Sequence, residues 1–212
     1  MIRFNKISKD EAVKVTVESI VKGHHNVTYK GIRAVKCPFD YLMYQMILWE
    51  VKPDLVIEIG TNKGGGALYI ADLLDLIGKG ELHTIDIVNI IDPKIKEHHR
   101  IKYFDVGWEA YDINLANGFE KILIIEDASH QYIDTIGILN KFHHIVSKDS
   151  YFIIEDGIIN ELGLEKEFKG GPLKAIREFL TTHPEYTVDR KWCDMFGKNG
   201  TFNVNGYLKK NI

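Results

Sequence analysis

The stretch PDLVIEIGTNKGGGALYIADLL, residues 53–74, decides the fold. Its first half is a short apolar run, LVIEI, closed by Gly60. A glycine-rich turn follows, and then a helical stripe at Leu68, Ala71, Leu74 and Ile77. A strand, a tight turn and a helix within some 25 residues is the opening unit of an open parallel sheet. Four more strand-like runs continue the pattern: ELHTIDI (81–87), RIKYFDV (100–106), KILIIEDA (121–128) and SYFIIEDG (150–157). Helical patterns at 133–146 and 172–183 fall between and after the last two. The expectation is an α/β domain whose central sheet is mostly parallel, with helices on both faces. YTVDRKW (186–192) and TFNVNGYLKK (201–210) are expected to close it as a C-terminal antiparallel strand pair.

Upstream of Pro53 the text is different. Residues 10–22 carry a loose helical pattern ending at Gly23, the segment 24–38 is polar and turn-rich, and FDYLMYQMILWEV (39–51) reads as a buried helix. Residues 1–52 are therefore expected to form a helical cap on a core spanning 53–212, within one domain. At 212 residues a single core suffices. The net charge of −3 gives no reason to expect nucleic acid as a partner, since phosphate binding needs a basic surface. Cys37 and Cys193 stand far apart and read as reduced thiols. With no apolar signal core at the N-terminus and no run of about 18 apolar residues, the chain reads as cytoplasmic and free of the membrane.

Ligands of open parallel sheets bind beyond the carboxyl ends of the strands. Glu58, Asp86, Asp105, Asp127, Glu155 and Asp156 all fall at or just past such ends, so carboxylates should line one edge. Gly60, with Thr61, Asn62, Gly64 and Gly65, forms a loop that a ligand can approach closely. Glu58 would repel a pyrophosphate lying there and would suit a cationic ligand carrying an amino group or a sulfonium. The loop fits neither G-x-G-x-x-G nor the P-loop pattern. Asp86 is placed to accept from both hydroxyls of a ribose, and Asp105 to lie near an adenine. Together these point to S-adenosylmethionine.

Asp127 and the pair Glu155-Asp156 end two strands expected to be neighbours. Three converging carboxylates repel unless protonated or bound to a cation. An all-oxygen set suits a hard ion such as Mg2+. His130, three residues after Asp127, is placed to take a proton from a substrate hydroxyl acidified by that metal. His143 and His144 read as structural.

These residues resemble the cephalosporin hydroxylase-like family, made up largely of S-adenosylmethionine-dependent methyltransferases, and are similar to the metal-dependent sugar O-methyltransferases of macrolide biosynthesis. The resemblance runs from about Tyr29 to Lys209 and rests on residues 53–74, the D-x-x-H of Asp127 to His130, YFIIED at 151–156 and the 201–210 tail. It implies a Rossmann-like class I methyltransferase fold, Mg2+ ligation by Asp127, Glu155 and Asp156, His130 as base, and Glu58, Gly60 and Asp86 at the cofactor. Some members carry two aspartates where this chain has Glu126-Asp127. The function expected is O-methylation of a small-molecule or sugar hydroxyl. A homo-oligomer is left open, since such proteins often self-associate but no interface is legible.

Two other readings compete. An iron-dependent oxygenase would need two histidines and a carboxylate; no H-x-D occurs, and the one H-x-E, His183-Pro-Glu185, sits in an expected turn. A non-catalytic cofactor-binding protein would not need both the acid cluster and the base. Of the remaining residues, 29–31 form a loop that could cover the cofactor, Tyr41, Tyr44 and Trp49 are expected in the core, and Trp108 and Tyr111 could pack on a sugar or adenine. Residues 160–172 suit a lid, and Lys6, Lys9 and Lys14 a solvated face.

Overall fold

A computed structural model describes residues 12–212. The elements are α1 (Val17–His24), β1 (Thr28–Tyr29), β2 (Ile32–Arg33), α2 (Pro38–Val51), β3 (Leu55–Ile59), α3 (Gly65–Ile77), β4 (Glu81–Ile85), α4 (Pro93–Lys96), β5 (Ile101–Phe104), β6 (Ile122–Glu126), α5 (Tyr132–Phe142), β7 (Tyr151–Ile154), α6 (Gly171–Thr182), β8 (Tyr186–Val188), α7 (Arg190–Cys193) and β9 (Tyr207–Lys210). Seven strands make one sheet in the order β5-β4-β3-β6-β7-β9-β8, and β1 and β2 form a separate hairpin. Strands β3 to β7 run parallel, whereas β9 lies antiparallel to both β7 and β8. The fold is the Rossmann-like class I methyltransferase fold, with the C-terminal antiparallel pair in place.

The alternation along each strand sorts residues to two cores. Val56, Leu123, Ile125 and Ile153 pack under α2 and α3, with Met43, Ile47, Leu48 and Leu74. Leu55, Ile57, Ile124, Phe152 and Ile154 pack under α5 and α6, with Ile138, Phe142, Ile176 and Phe179. Both faces are covered, as a parallel sheet requires.

Three boundaries differ from the sequence reading. The first helix starts at Val17, where Thr16 and Ser19 form a capping box, not at residue 10; Lys6 and Lys9 lie outside the described residues, and Lys14 is exposed. The last strands are shorter than their apolar runs. The Asp189 amide still bonds the Tyr207 carbonyl at 2.8 Å, but its side chain accepts from the Lys191 amide and caps α7, and residues 201–205 turn before β9 begins. On α2, Tyr44 is buried as expected, but Trp49 is 60% exposed, because the helix presents one side outward.

The chain runs outward from β3 through β4 to β5, then crosses back to β6, so the strand order reverses between β3 and β6. A crevice opens at such a point. Gly60 sits at its floor with φ +106°, and a Cβ there would lie 1.9 Å from the Asp127 carbonyl oxygen. Gly60→Ala combines a left-handed φ with a backbone clash. We expect it to lower stability by about 3 kcal/mol or more, read as a shifted denaturant midpoint at unchanged m-value.

Candidate active site

The crevice is a cavity of about 700 Å³ at the carboxyl edge of the sheet. Its lining includes Gly60, Thr61, Asn62 and Asp86, which follow β3 and β4, and Asp127, His130 and Asp156, which follow β6 and β7. The Asp86 carboxylate accepts from the amides of Asn62 and Val88, each at 2.8 Å. This fixes its plane and leaves further lone pairs facing the cavity. Glu58 is buried beneath, accepting from the Thr84 hydroxyl at 2.6 Å, and burial raises its pKa to about 8 against the pull of Lys36.

Not every expected residue reaches the crevice. Gly64 packs against Ile91 and Ile95, and Gly65 lies so close to the Arg33 backbone that a Cβ would come within 2.5 Å of its carbonyl oxygen. Both serve the packing of α3 against the hairpin and α4. Asp105 is exposed and accepts from the Asn89 side chain at 2.7 Å, outside the cavity lining. Residues 29–31 turn the β1–β2 hairpin against α3, where Lys30 pairs with Asp72 at 2.7 Å. Trp108 lines the cavity and packs on Gly137, whereas Tyr111 is buried and bonded to His83 at 2.5 Å. Leu162, Leu164 and Phe168, from the segment 160–172, form one wall.

Asp127, His130 and Asp156 each offer a ligand atom, all within 4.8 Å of one another. The residues before them show why. Glu126 ends β6 pointing at α5, accepting from Thr135 at 3.4 Å and from the Ala128 amide at 3.3 Å. The alternation of the strand then turns Asp127 to the crevice. His130 and Asp156 both adopt left-handed backbone, φ 58° and 55°. Such conformations cost of order 1–3 kcal/mol and cluster at functional sites. His130 Nε2 lies 3.2 Å from Asp156 Oδ2, and its Nδ1 is buried with no hydrogen-bond partner. Burial favours the neutral ring, but Asp156, Asp127, Glu126 and Glu155 outweigh it and raise its pKa.

Sequence reading missed Lys36. It is 4% exposed, and its ammonium bonds both Asp127 Oδ2 and Glu155 Oε1. Burial disfavours that charge, yet Asp127, Glu155 and Glu58 hold it well above the usual lysine range. Glu155 Oε1 also accepts from Tyr44 at 2.5 Å, which directs that oxygen inward, away from the cavity. The available signal was a lone lysine in the apolar context AVKCP, just ahead of the buried helix. Removing one partner of a buried ion pair typically costs about 3–5 kcal/mol. Lys36→Met, which keeps the stem but not the charge, is expected to lose stability of that order by urea unfolding, with Lys36→Arg recovering part of it.

Comparison with known proteins bears on the chemistry. The family model described as rhamnosyl O-methyltransferase/CmcI matches residues 22–211. The rhamnosyl O-methyltransferase of Mycobacterium tuberculosis is 30% identical over 193 residues, covering 87% of this chain and 78% of its own length. Among solved structures, CmcI with SAH matches with a TM-score of 0.69 at 17% identity, covering 98% of this chain and 97% of that one. CmcI with Mg and SAM matches at 0.64 and 20% identity, covering 89% and 78%. These structural likenesses bear on the fold; the family match separates the methyltransferase reading from the oxygenase one. The chain belongs to the rhamnosyl O-methyltransferase/CmcI family and is an S-adenosylmethionine-dependent O-methyltransferase.

Proposed function

We propose that the chain methylates a sugar hydroxyl, rhamnose being the acceptor type suggested by the mycobacterial relative's name, with Mg2+ held by Asp127, Glu155 and Asp156 and His130 as the base. The observation that carries this is the convergence of Asp127, His130 and Asp156 in a cavity that Asn62 and Asp86 also line.

The residues present fit both groups. Asp86, held by two amides, suits a pair of ribose hydroxyls, and Gly60 brings bare backbone to the floor. Lys36 engages one oxygen of Asp127, leaving the second for a hard cation beside His130 and Asp156; Glu155 lies outside that cluster and the cavity lining, and would have to turn its free oxygen toward the ion to complete the set. The orphaned His130 Nδ1 marks the same place as polar and incompletely satisfied. When bound, the cofactor supplies an electrophilic methyl group and the metal a Lewis acid for the acceptor hydroxyl.

The chain does the rest. The Asp156 carboxylate is placed to accept a hydrogen bond from His130 Nε2–H, which leaves the lone pair on the other ring nitrogen to accept a proton. The imidazolium so formed is stabilised by the carboxylates that raise its pKa. Val106, Trp108 and Phe168 line the cavity with apolar surface that excludes water and offers a ring face to a sugar. Residues 160–172 act as its lid.

Two measurements test this. Calorimetric titration with S-adenosylhomocysteine, with Mg2+ and with EDTA, is expected to give micromolar binding; none under either condition would sink the reading. With a rhamnoside acceptor, EDTA should abolish turnover and Mg2+ restore it. His130→Ala should cut kcat by about 10²–10⁴-fold while S-adenosylhomocysteine affinity stays within about threefold. Full activity in His130→Ala removes the base assignment, and full activity in EDTA removes the metal.

A further inference from the structure

We propose that His143, His183 and Glu185 form a second divalent-metal site, structural in role and suited to a borderline ion such as Zn2+, at the edge of the sheet opposite the methyl-transfer cavity. Their ligand atoms, one from each residue, all lie within 4.8 Å of one another. The three come from separate places in the chain. His143 begins the 3-10 turn after α5, His183 caps the C-terminus of α6, and Glu185 stands just before β8. Helices α5 and α6 follow β6 and β7 and run back along the sheet, so their ends meet at its amino edge. The parallel direction of β8 and β7 puts the start of β8 there too.

The local chemistry is that of a prepared ligand set. His183 Nδ1 lies 2.9 Å from both the Phe179 carbonyl oxygen, which only accepts, and the Thr182 hydroxyl, so a proton on Nδ1 satisfies the carbonyl and leaves the lone pair on Nε2. A backbone carbonyl that fixes the tautomer in this way is the usual support of a metal-binding histidine. The His183 ring also stacks on Phe179 at 3.9 Å and 13°, which fixes its plane. His143 Nδ1 is buried and has no hydrogen-bond partner. It faces Glu185 Oε1 at 3.9 Å, too far for a hydrogen bond and about half an ångström wider than two ligands of one tetrahedral zinc. The nearest cation, Lys210, is engaged elsewhere, on the carbonyls of His143, His144 and Val146 at 3.1, 3.2 and 2.8 Å.

Two imidazoles and one carboxylate with a mixed N/O donor set favour zinc-like ions over Mg2+. None of the three residues lines the cavity described above or the groove between α2 and α3, so a bound ion would sit apart from both. The side chains of His143 and Glu185 are about a quarter exposed, enough for an ion to enter. The cluster of Asp75, His98 and His99 is a poorer choice. There Asp75 already bonds Arg100, and each histidine already has a carboxylate within 3.5 Å.

The test uses the full chain stripped with EDTA and dialysed against Zn2+ with millimolar Mg2+ present, metal content being measured per chain. One zinc is expected, retained in His99→Ala and His130→Ala, with affinity reduced at least tenfold in His183→Ala and in the milder Glu185→Gln. Zinc should raise the Tm of the wild type and leave that of the two site variants unmoved, while S-adenosylhomocysteine binding is unchanged in His183→Ala and Glu185→Gln. Substoichiometric zinc in the wild type, undiminished zinc affinity in a folded His183→Ala or Glu185→Gln, or zinc lost instead in His99→Ala or His130→Ala would each overturn the proposal. If His183→Ala fails to fold, Glu185→Gln alone decides.

Discussion

The active edge of this protein depends on one buried ammonium. Lys36 stands between carboxylates from two adjacent strand ends, Asp127 after β6 and Glu155 after β7, with Glu58 of β3 adding to its field. A charge so buried is tolerable only if paired. Conversely, burial raises the pKa of Asp127 and Glu155, and without Lys36 those carboxyls would be driven further toward protonation. The lysine therefore counters the burial that favours protonation of these acids. It comes from the segment before α2, which is why the N-terminal region cannot be regarded as a detachable cap. The same logic extends inward, where Glu155 binds Tyr44, and Asp40 accepts from Thr201, the Phe202 amide and Tyr207. Burial pushes Asp40 up to about 7. This polar network ties α2 to the C-terminal turn whose Phe202 lines the cavity.

Around that fixed charge the backbone is held in unusual conformations. Gly60 must have no Cβ because the Asp127 carbonyl occupies the space, and His130 and Asp156 are both left-handed. The Asp127 amide bonds the Ile59 carbonyl at 2.8 Å, and the Glu155 amide bonds that of Glu126 at 2.9 Å. The sheet ladder thus continues one step past the strands, and the turns carrying the functional side chains are anchored to the most rigid part of the molecule. Precision of this kind comes from the scaffold more than from the loops.

What the sequence made legible follows from what is periodic. β6 and β7 are apolar runs closed by acids, and β3 to β5 are short apolar-rich runs with an acid in or just past their ends, so both the strands and the edge on which the acids lie could be read without a structure. The placement of Asp127 and Asp156 near His130 was legible because all three follow adjacent parallel strands. Lys36 was not, because nothing in a turn-rich segment says which of its polar residues will fold inward. Asp105 and Tyr111 fall outside the cavity lining for a related reason. Both follow β5, at the edge of the sheet, where the loop can turn either toward the crevice or away. It turns Asp105 to solvent and Tyr111 into the core under His83. Trp49 escaped the core because α2 is apolar nearly all round, so its composition did not reveal its outward side.

Helices α5 and α6 connect the two edges of the sheet. Each begins beside the cavity, α5 directly after His130 and Gln131, and α6 after Gly170, where the cavity wall ends. Each ends at the opposite edge, at His143 and His183, whose rings meet at 4.4 Å. The Tyr132 hydroxyl bonds Glu178 at 2.7 Å between them, and the Tyr132 amide bonds the Phe168 carbonyl at 3.1 Å. A metal joining His143, His183 and Glu185 would clamp the pair at its far end. Since rigid helices transmit displacement along their length, that clamp would also fix the spacing of their near ends, where His130 and the 160–172 wall face each other across the cavity. The geometry of the base would then depend in part on an ion bound a full helix length away.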